Sequence, residues 1–424
     1  KIASAIFVLF LIYGTASPQS CLPEGITFNT QEQIDNFQIN YPDCTEIEGD
    51  VIIGGSITNL DGLNILTAFR GNLWIGDNAA LTSLTGLENV TSIGGYLWIR
   101  YNDVLTNLTG LGNVTSFGGD VWIGSNAALT SLTGLDNITS IGGNLRIGYN
   151  DTLTSLMGLG NVTSIGGYLY IYENYNLTSL TGLEGLISIG GDLEIFNNDA
   201  LTSLTGQEEL TSIGGDLMIG YNPALAGLTG LENVISIGGR LEIFNNYALT
   251  SLTGLEGLTS IGGYLWIANH DALTSLTGLD NIDTASIDGL YIFTNSCLST
   301  CEVQSVCDYL ISPTGTIEIY NNAPGCNSQE EVEEACELSV ENINPKDEIS
   351  IFPNPANRQL TISSKDGKTI EEIIIYNLTG QKAQQEKPVN NIIDISKLQP
   401  GMYIIEVLSG QRKIREKLMI VKEG

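Results

Sequence analysis

Basic residues and histidine are nearly missing from most of this chain. His270 is the only histidine among 424 residues, and residues 1–344 carry five basic residues (Lys1, Arg70, Arg100, Arg146, Arg240) against 38 acidic ones, a net of −33. One histidine with no justified nucleophile or acid beside it excludes a nucleophile–histidine–acid triad. So acidic a surface repels a phosphate backbone, which excludes nucleic acid as a partner. Long apolar runs are missing too. The stretch Ile2 to Tyr13 is too short for a membrane span, and no other segment could cross a bilayer, so the mature chain is expected to have no transmembrane segment. With Lys1 ahead of it and Gly14, Thr15, Ala16 and Ser17 behind, that stretch has the shape of an export signal, read here as residues 1–20. Cysteine is absent between Cys44 and Cys297. In an exported chain, cysteines confined to the two ends read as disulfides. The expected disulfide cysteines are Cys21, Cys44, Cys301, Cys307, Cys326 and Cys336, with Cys21–Cys44 the obvious pair and the pairing at the far end left open. No histidine lies near them, so neither a metal site nor a cofactor is expected.

What the chain does have is repetition. Gly-Gly pairs stand at 94, 118, 142, 166, 190, 214, 238 and 262, a strict period of 24 residues. A period in that range marks a solenoid. One unit reads Leu105-x-x-Leu108-x-x-Leu111-x-x-Val114-x-x-Phe117, then Gly118-Gly119, then Val121-x-Ile123-x-x-Asn126. Apolar residues three apart do not fit a helix of period 3.6. They predict short extended segments joined by bends, and Val121-x-Ile123 predicts a half-buried strand. Twelve such strands, from Val51/Ile53 to Ile317/Ile319, predict twelve coils; at about 4.8 Å per parallel strand the stack is roughly 50 Å or a little more in length. The Gly-Gly pair is expected to supply backbone angles that residues with a Cβ resist. The Asn at 78, 102, 126, 150, 174, 198, 222, 246, 295 and 322 is expected to point inward, bond open backbone groups and form a ladder, with His270 a structural substitute in it. Gln207 interrupts an inward Leu column and predicts a local weak point.

The domain reading follows: residues 1–20 a signal peptide, 21–48 an N-terminal disulfide cap, 49–296 the repeat array, 297–340 a cysteine-rich C-terminal cap, 341–348 a linker and 349–424 a separate domain. Thr30 with Gln33, Ser299 with Glu302 and Ser328 with Glu331 are capping-box patterns that predict short helices in the caps.

The run Leu-x-Ile-x-x-Asn-x-x-Leu, as in Leu97 to Leu105, resembles a leucine-rich repeat. The whole unit with its cysteine-bearing lids resembles the receptor L domain, over roughly residues 21–337. The resemblance implies an all-β, right-handed parallel β-solenoid that binds ligand. Residues 345–424 resemble the type A sorting domain of the type IX secretion system. The matching motifs are Phe352-Pro353-Asn354-Pro355-Ala356, Ile373 to Asn377 with Gly380, Leu398 to Ile404, and Lys417 to Lys422. That resemblance implies a Bacteroidota-type source, the secretion machinery as partner through 349–424, passage through the outer membrane, and cell-surface attachment or release. Read from pattern alone, the segment is seven or so short strands forming a small β-sandwich.

Function is expected on the strands. The middle residue of each Leu-x-Ile strand points away from the core. That column holds all four tryptophans, Trp74, Trp98, Trp122 and Trp266, with Arg146, Tyr170, Glu194, Met218, Glu242 and Tyr291. Exposed aromatic patches mark interaction surfaces, and Trp and Tyr are their usual anchors. The expected ligand-binding residues are Trp74, Trp98, Trp122, Tyr170, Trp266 and Tyr291, taking an extracellular glycan or protein. Aromatic ladders also stabilise sheets by packing alone, so a structural spacer is the rival. A carbohydrate-active β-helix enzyme is the second. Glu194 and Glu242 are its only acid pair, and they stand two coils apart with no basic residue expected near them. No catalysis is expected. The threonine columns at 82, 106, 130 and onward, and at 85, 109, 133 and onward, are expected to be solvated bend residues.

Overall fold

The computed structural model describes residues 19–339, 349–364, 370–377, 381–387, 391–409 and 412–421. The run 1–18 of the expected signal peptide and the linker 341–348 lie outside the described residues. The chain divides into two compact units, one up to Glu333 and one from Glu334.

The first unit is a parallel β-solenoid. A wide sheet of 13 strands runs from Ile26–Thr30 to Thr316–Tyr320, and a narrow sheet of 11 two-residue strands runs from Ser20–Cys21 to Ser260–Ile261. Every pairing in both sheets is parallel, and successive strands align repeat on repeat, as Val121 does with Leu97 and Leu145. The wide sheet has one strand more than the twelve expected. The extra strand is Ile26–Thr30, which pairs with Val51–Ser56. It lacks the Gly-Gly and Leu-x-Ile marks, because only Phe28 of its side chains is buried.

The period of three has a local cause. Leu105, Leu111 and Val114 each donate their N–H to the carbonyl three residues back, at 3.0, 2.9 and 3.0 Å. Each such turn sends one residue inward, so Leu105, Leu108, Leu111 and Val114 are fully buried. Burying each of these side chains contributes about 1.5–3 kcal/mol.

The glycines do not divide as expected. Among the repeat's glycines, those at left-handed φ are not the Gly-Gly pair but the glycine of Leu-Thr-Gly-Leu, as in Gly134 at φ +113°. The pair is required for close approach: a Cβ on Gly118 would strike the carbonyl oxygen of Gly94 in the preceding coil.

The asparagine ladder is as read. The side-chain amide of Asn126 donates to the carbonyls of Ile99 at 2.9 Å and Gly124 at 3.1 Å, and its fully buried neighbour Asn150 accepts from the Asn126 backbone N–H at 3.3 Å. His270 occupies the same slot, fully buried, with Nε2 3.1 Å from the Ile243 carbonyl and Nδ1 3.3 Å from the Asn246 N–H. Gln207 is fully buried, and neither end of its amide has a hydrogen-bond partner.

Two further ladders were hidden in the sequence. After the corner glycine of several coils, a side-chain oxygen accepts the backbone N–H of the next coil: Asp50 from Asn72, Asp120 from Asn144, Asp192 from Asp216. At the bends, acidic residues accept the N–H of the glycine two before them, as Glu88 does from Gly86 and Glu256 from Gly254. Much of the acidity therefore closes backbone groups. The first threonine column is exposed but not merely solvated: Thr106, Thr130, Thr178 and Thr202 donate their hydroxyls to carbonyls one coil back.

At the caps, Thr30 and Gln33 form the expected capping box of the helix Gln31–Asp35. Ser328 accepts from the Glu331 N–H at the start of Gln329–Ser339. Ser299 caps nothing of the kind, because the helix there begins only at Gln304, with Val303 at its N-cap and no side-chain cap bond. Cys21 is bonded to Cys44 and Cys301 to Cys326; Cys307 and Cys336 are also in disulfides, and Cys297 is a free, exposed thiol.

The second unit holds a three-stranded and a four-stranded antiparallel sheet, seven strands in all. Leu360 and Ile362 from one sheet and Ile373, Ile375, Ile405 and Leu418 from the other share one core. The Asn354 and Ala356 of the Pro-Asn-Pro-Ala motif bond to the last strand, through the Lys417 carbonyl, the Met419 backbone and the Val421 N–H.

Candidate functional site

The wide sheet puts the middle residues of its strands in one column. Trp74, Trp98, Trp122, Arg146, Tyr170, Glu194, Met218, Glu242, Trp266 and Tyr291 stand in direct register, coil after coil. Every one of them is half-buried, not fully exposed. The rings lie down on the sheet, and the reason is in the sequence two residues on. That position, on the same outer face, is glycine at 76, 124, 148 and 220, a ring at 172, 196, 244 and 293, and otherwise Arg100 and Ala268. Trp122 lies over Gly124, whose added Cβ would stand 3.0 Å from the indole nitrogen. Trp74 covers Gly76, Tyr172 covers Gly148, and Phe196 and Phe244 close over Gly220.

The rings touch in series. Tyr96 stacks on Trp98 at 5.9 Å, Trp98 meets Trp122 edge-on at 6.0 Å, and Tyr170 stacks on Tyr172 at 4.1 Å. Further along, Trp266 meets Tyr291 at 5.3 Å and Phe293 at 4.8 Å. The structure thus brings Trp74, Trp98 and Trp122 together, and Trp266 with Tyr291. It does not join the four indoles: five other residues of the column separate Trp122 from Trp266.

Charge divides the column the same way. The Arg100 guanidinium lies 3.5 Å from the centre of the Trp122 ring and that of Arg146 5.4 Å from it; Arg146 is also 4.8 Å from the Tyr168 ring. Past Tyr170 the carboxylates take over. Burial, then the neighbouring Asp192, raises the Glu194 carboxyl above its ordinary pKa. Glu242 does have a basic partner, contrary to the sequence reading: Arg240 Nη1 is 2.9 Å from Glu242 Oε1, and Tyr264 donates to the same oxygen at 2.6 Å. Arg240 is one strand residue before Leu241, so its long side chain reaches along the outer face. It also donates to Asp216 at 2.9 Å, and although burial opposes this, those bonds hold the Asp216 carboxyl below the usual carboxylate range.

Sequence reasoning missed three of the exposed rings. Tyr101, Tyr149 and Tyr221 are 46%, 42% and 48% exposed and adopt left-handed φ of 56–57°. Each directly precedes a ladder asparagine, and that constant offset was the available signal. Arg100, beside Tyr101, was missed with them. A groove of about 620 Å³ lies elsewhere, on the narrow sheet, lined by the Ser-Ile-Gly triplets of five coils from 164–166 to 260–262. It holds no titratable side chain. Among the described residues no cluster of His, Cys, Asp and Glu could hold a metal ion, and no helix is long and apolar enough to cross a membrane.

Residues 137–230 match the family described as Receptor L domain, and residues 350–421 match the Secretion system C-terminal sorting domain. The chain joins an L-domain-like solenoid to a secretion sorting tail. No curated protein matches it. The sorting tail indicates export across the outer membrane, by the type IX machinery, to the cell surface or the extracellular space. The L-domain-like match falls on coils that carry Arg146, Tyr170 and Glu194, the middle of the column.

Proposed function

We propose that the solenoid is a non-catalytic binding or adhesion module that takes an extracellular glycan or protein on the outer face of its wide sheet. The observation that carries this reading is the ring cover. Trp74 and Trp122 lie over Gly76 and Gly124, Trp98 packs edge-on against Trp122, and Tyr96 and Tyr101 beside them are 44% and 46% exposed, on a chain of net charge −31. Flat rings with polar rims present a large, rigid contact area at small entropic cost. The absence of catalysis is part of the proposal. Glu242 is engaged by Arg240 and Tyr264, and Met218 stands between it and Glu194. A second reading, a structural surface spacer, draws on the packing of rings over glycines, which stabilises coils whether or not a ligand binds. The two part on one experiment. The secreted chain and a Trp98→Ala/Trp122→Ala/Trp266→Ala variant are compared on glycan arrays and on host or cell-wall preparations. The binding module predicts loss of at least about tenfold in affinity; unchanged retention by a folded variant leaves the spacer.

A further inference from the structure

The solenoid has four described arginines. Arg70 bonds to Glu46 and Arg240 to Asp216 and Glu242. Arg100 and Arg146 have no carboxylate within ion-pair distance among the described residues, although acids outnumber bases more than sevenfold over residues 1–344. They are also the two that converge on one ring, with guanidinium carbons 3.5 and 5.4 Å from the centre of Trp122. Two like charges drawn to one indole, in a chain rich in available partners, form an arrangement that an anion would complete. Arg100 is oriented by its Nη2, which donates to the Tyr101 hydroxyl at 2.8 Å; the Arg146 guanidinium makes no hydrogen bond, and the Nε of both arginines is buried without a partner. Held by ring contacts alone, the Arg146 guanidinium keeps its outer N–H groups for a ligand. The exposed rings Tyr96, Tyr101 and Tyr149 lie on the same few coils.

Resting on the reading of this face as a binding surface, we infer that the Arg100–Trp122–Arg146 patch recognises a carboxylated sugar carried on an otherwise neutral glycan. A planar guanidinium pairs with a carboxylate through two parallel N–H donors, and it does so best when stacked on an aromatic ring. The neighbouring tyrosines offer apolar ring faces to the uncharged sugars on either side. The surroundings argue against a polymer charged at every unit. Glu173 bonds to the Tyr175 hydroxyl close to Tyr149, and Glu194 and Asp192 follow two coils beyond Arg146, so a second and third anion on the ligand would meet carboxylates.

The test measures binding of the full chain to sialyllactose, lactose, polygalacturonate and poly-glutamate by titration calorimetry. Sialyllactose is expected to bind at least about tenfold more tightly than lactose, the gain of one charge-assisted pair, and to outcompete both polyanions. Arg100→Gln/Arg146→Gln should abolish the difference between sialyllactose and lactose. Arg146→Lys, which keeps the charge but not the planar fork, should retain part of the difference. Unaltered melting curves establish that these variants are folded. Equal affinity for sialyllactose and lactose overturns this inference alone and leaves the aromatic face standing. Failure of both sugars to bind overturns it together with the glycan arm of the proposed function. Tighter binding of polygalacturonate contradicts the single-acid ligand, and preference for poly-glutamate makes the partner a protein.

Discussion

The two sheets of the solenoid are made by the same coils at the same period, yet they treat variation in opposite ways. The narrow sheet repeats Ser-Ile-Gly from 164–166 to 260–262 without change. The wide sheet places Trp, Arg, Tyr, Glu and Met in a single outward column. The difference follows from distance. At the narrow corner the coils approach so closely that a Cβ on Gly118 would enter the backbone of the coil before. On the wide sheet the outer residue meets only its lateral neighbours, so any side chain that packs there is allowed. Identity within the chain therefore marks mechanical necessity, and diversity marks the face where chemistry is free to differ. The arginine pair and the exposed tyrosines both lie on the diverse face.

The sharpest way to break this contrast is to disturb the constrained side. Gly118→Val should destabilise the array by about 3 kcal/mol or more, because neither backbone can yield without moving a whole coil. On the wide sheet the isosteric change Glu194→Gln should cost far less. Asn126→Ala comes next. It removes a donor from the carbonyls of Ile99 and Gly124 and takes the Asn126 acceptor from the buried Asn102 N–H, at a cost of about 1–3 kcal/mol. Repeat arrays open coil by coil, so amide hydrogen exchange around residues 99–150 is the better readout than a single melting temperature. Gln207→Leu acts in the other direction: it replaces a buried amide without partners by the side chain that every neighbouring coil uses, and should stabilise by about 1–3 kcal/mol.

The smallest effect concerns pH. Burial lowers the pKa of His270 below its ordinary 6.5, more than its backbone bonds to Asn246 and Ile243 raise it. The folded state thus prefers neutral imidazole, and the unfolded state takes up a proton more readily. The stability contributed by His270 is complete above about pH 6.5 and falls as acid is added through and below that value. His270→Asn, which restores the ladder residue, should make melting temperature less sensitive to pH between 7 and 5. Identical pH profiles for the two chains would remove this account of the histidine.

Most of the scaffold was readable because each coil repeats its own instructions. Leu105, Leu108, Asn126 and the 24-residue register announce inward positions by recurrence, and those are buried as read. The first strand was not readable, since Ile26–Thr30 ends the stack and packs against a helix rather than another full coil. The roles of the glycines were misassigned because recurrence reveals that a glycine is needed, not whether the need is an angle or a gap. The register of the outward column was legible, but how far each ring stands exposed was not. Tryptophan drew attention by rarity, while tyrosines such as Tyr101, Tyr149 and Tyr221 stand more exposed, and whether a ring stands up or lies over Gly124 depends on residues that only three dimensions bring together. The reach of Arg240 to Glu242 was missed for the same reason.

The claim that recognition belongs to the diverse face is tested most directly by one paired binding measurement on a glycan array. One variant carries Trp98→Ala, Tyr101→Ser and Tyr149→Ser on the wide sheet; the other carries Ser164→Ala, Ser188→Ala and Ser212→Ala along the narrow groove. Loss of ligand by the first with full retention by the second is the expected result. Retention by the first with loss by the second would move recognition to the constant groove and contradict the account.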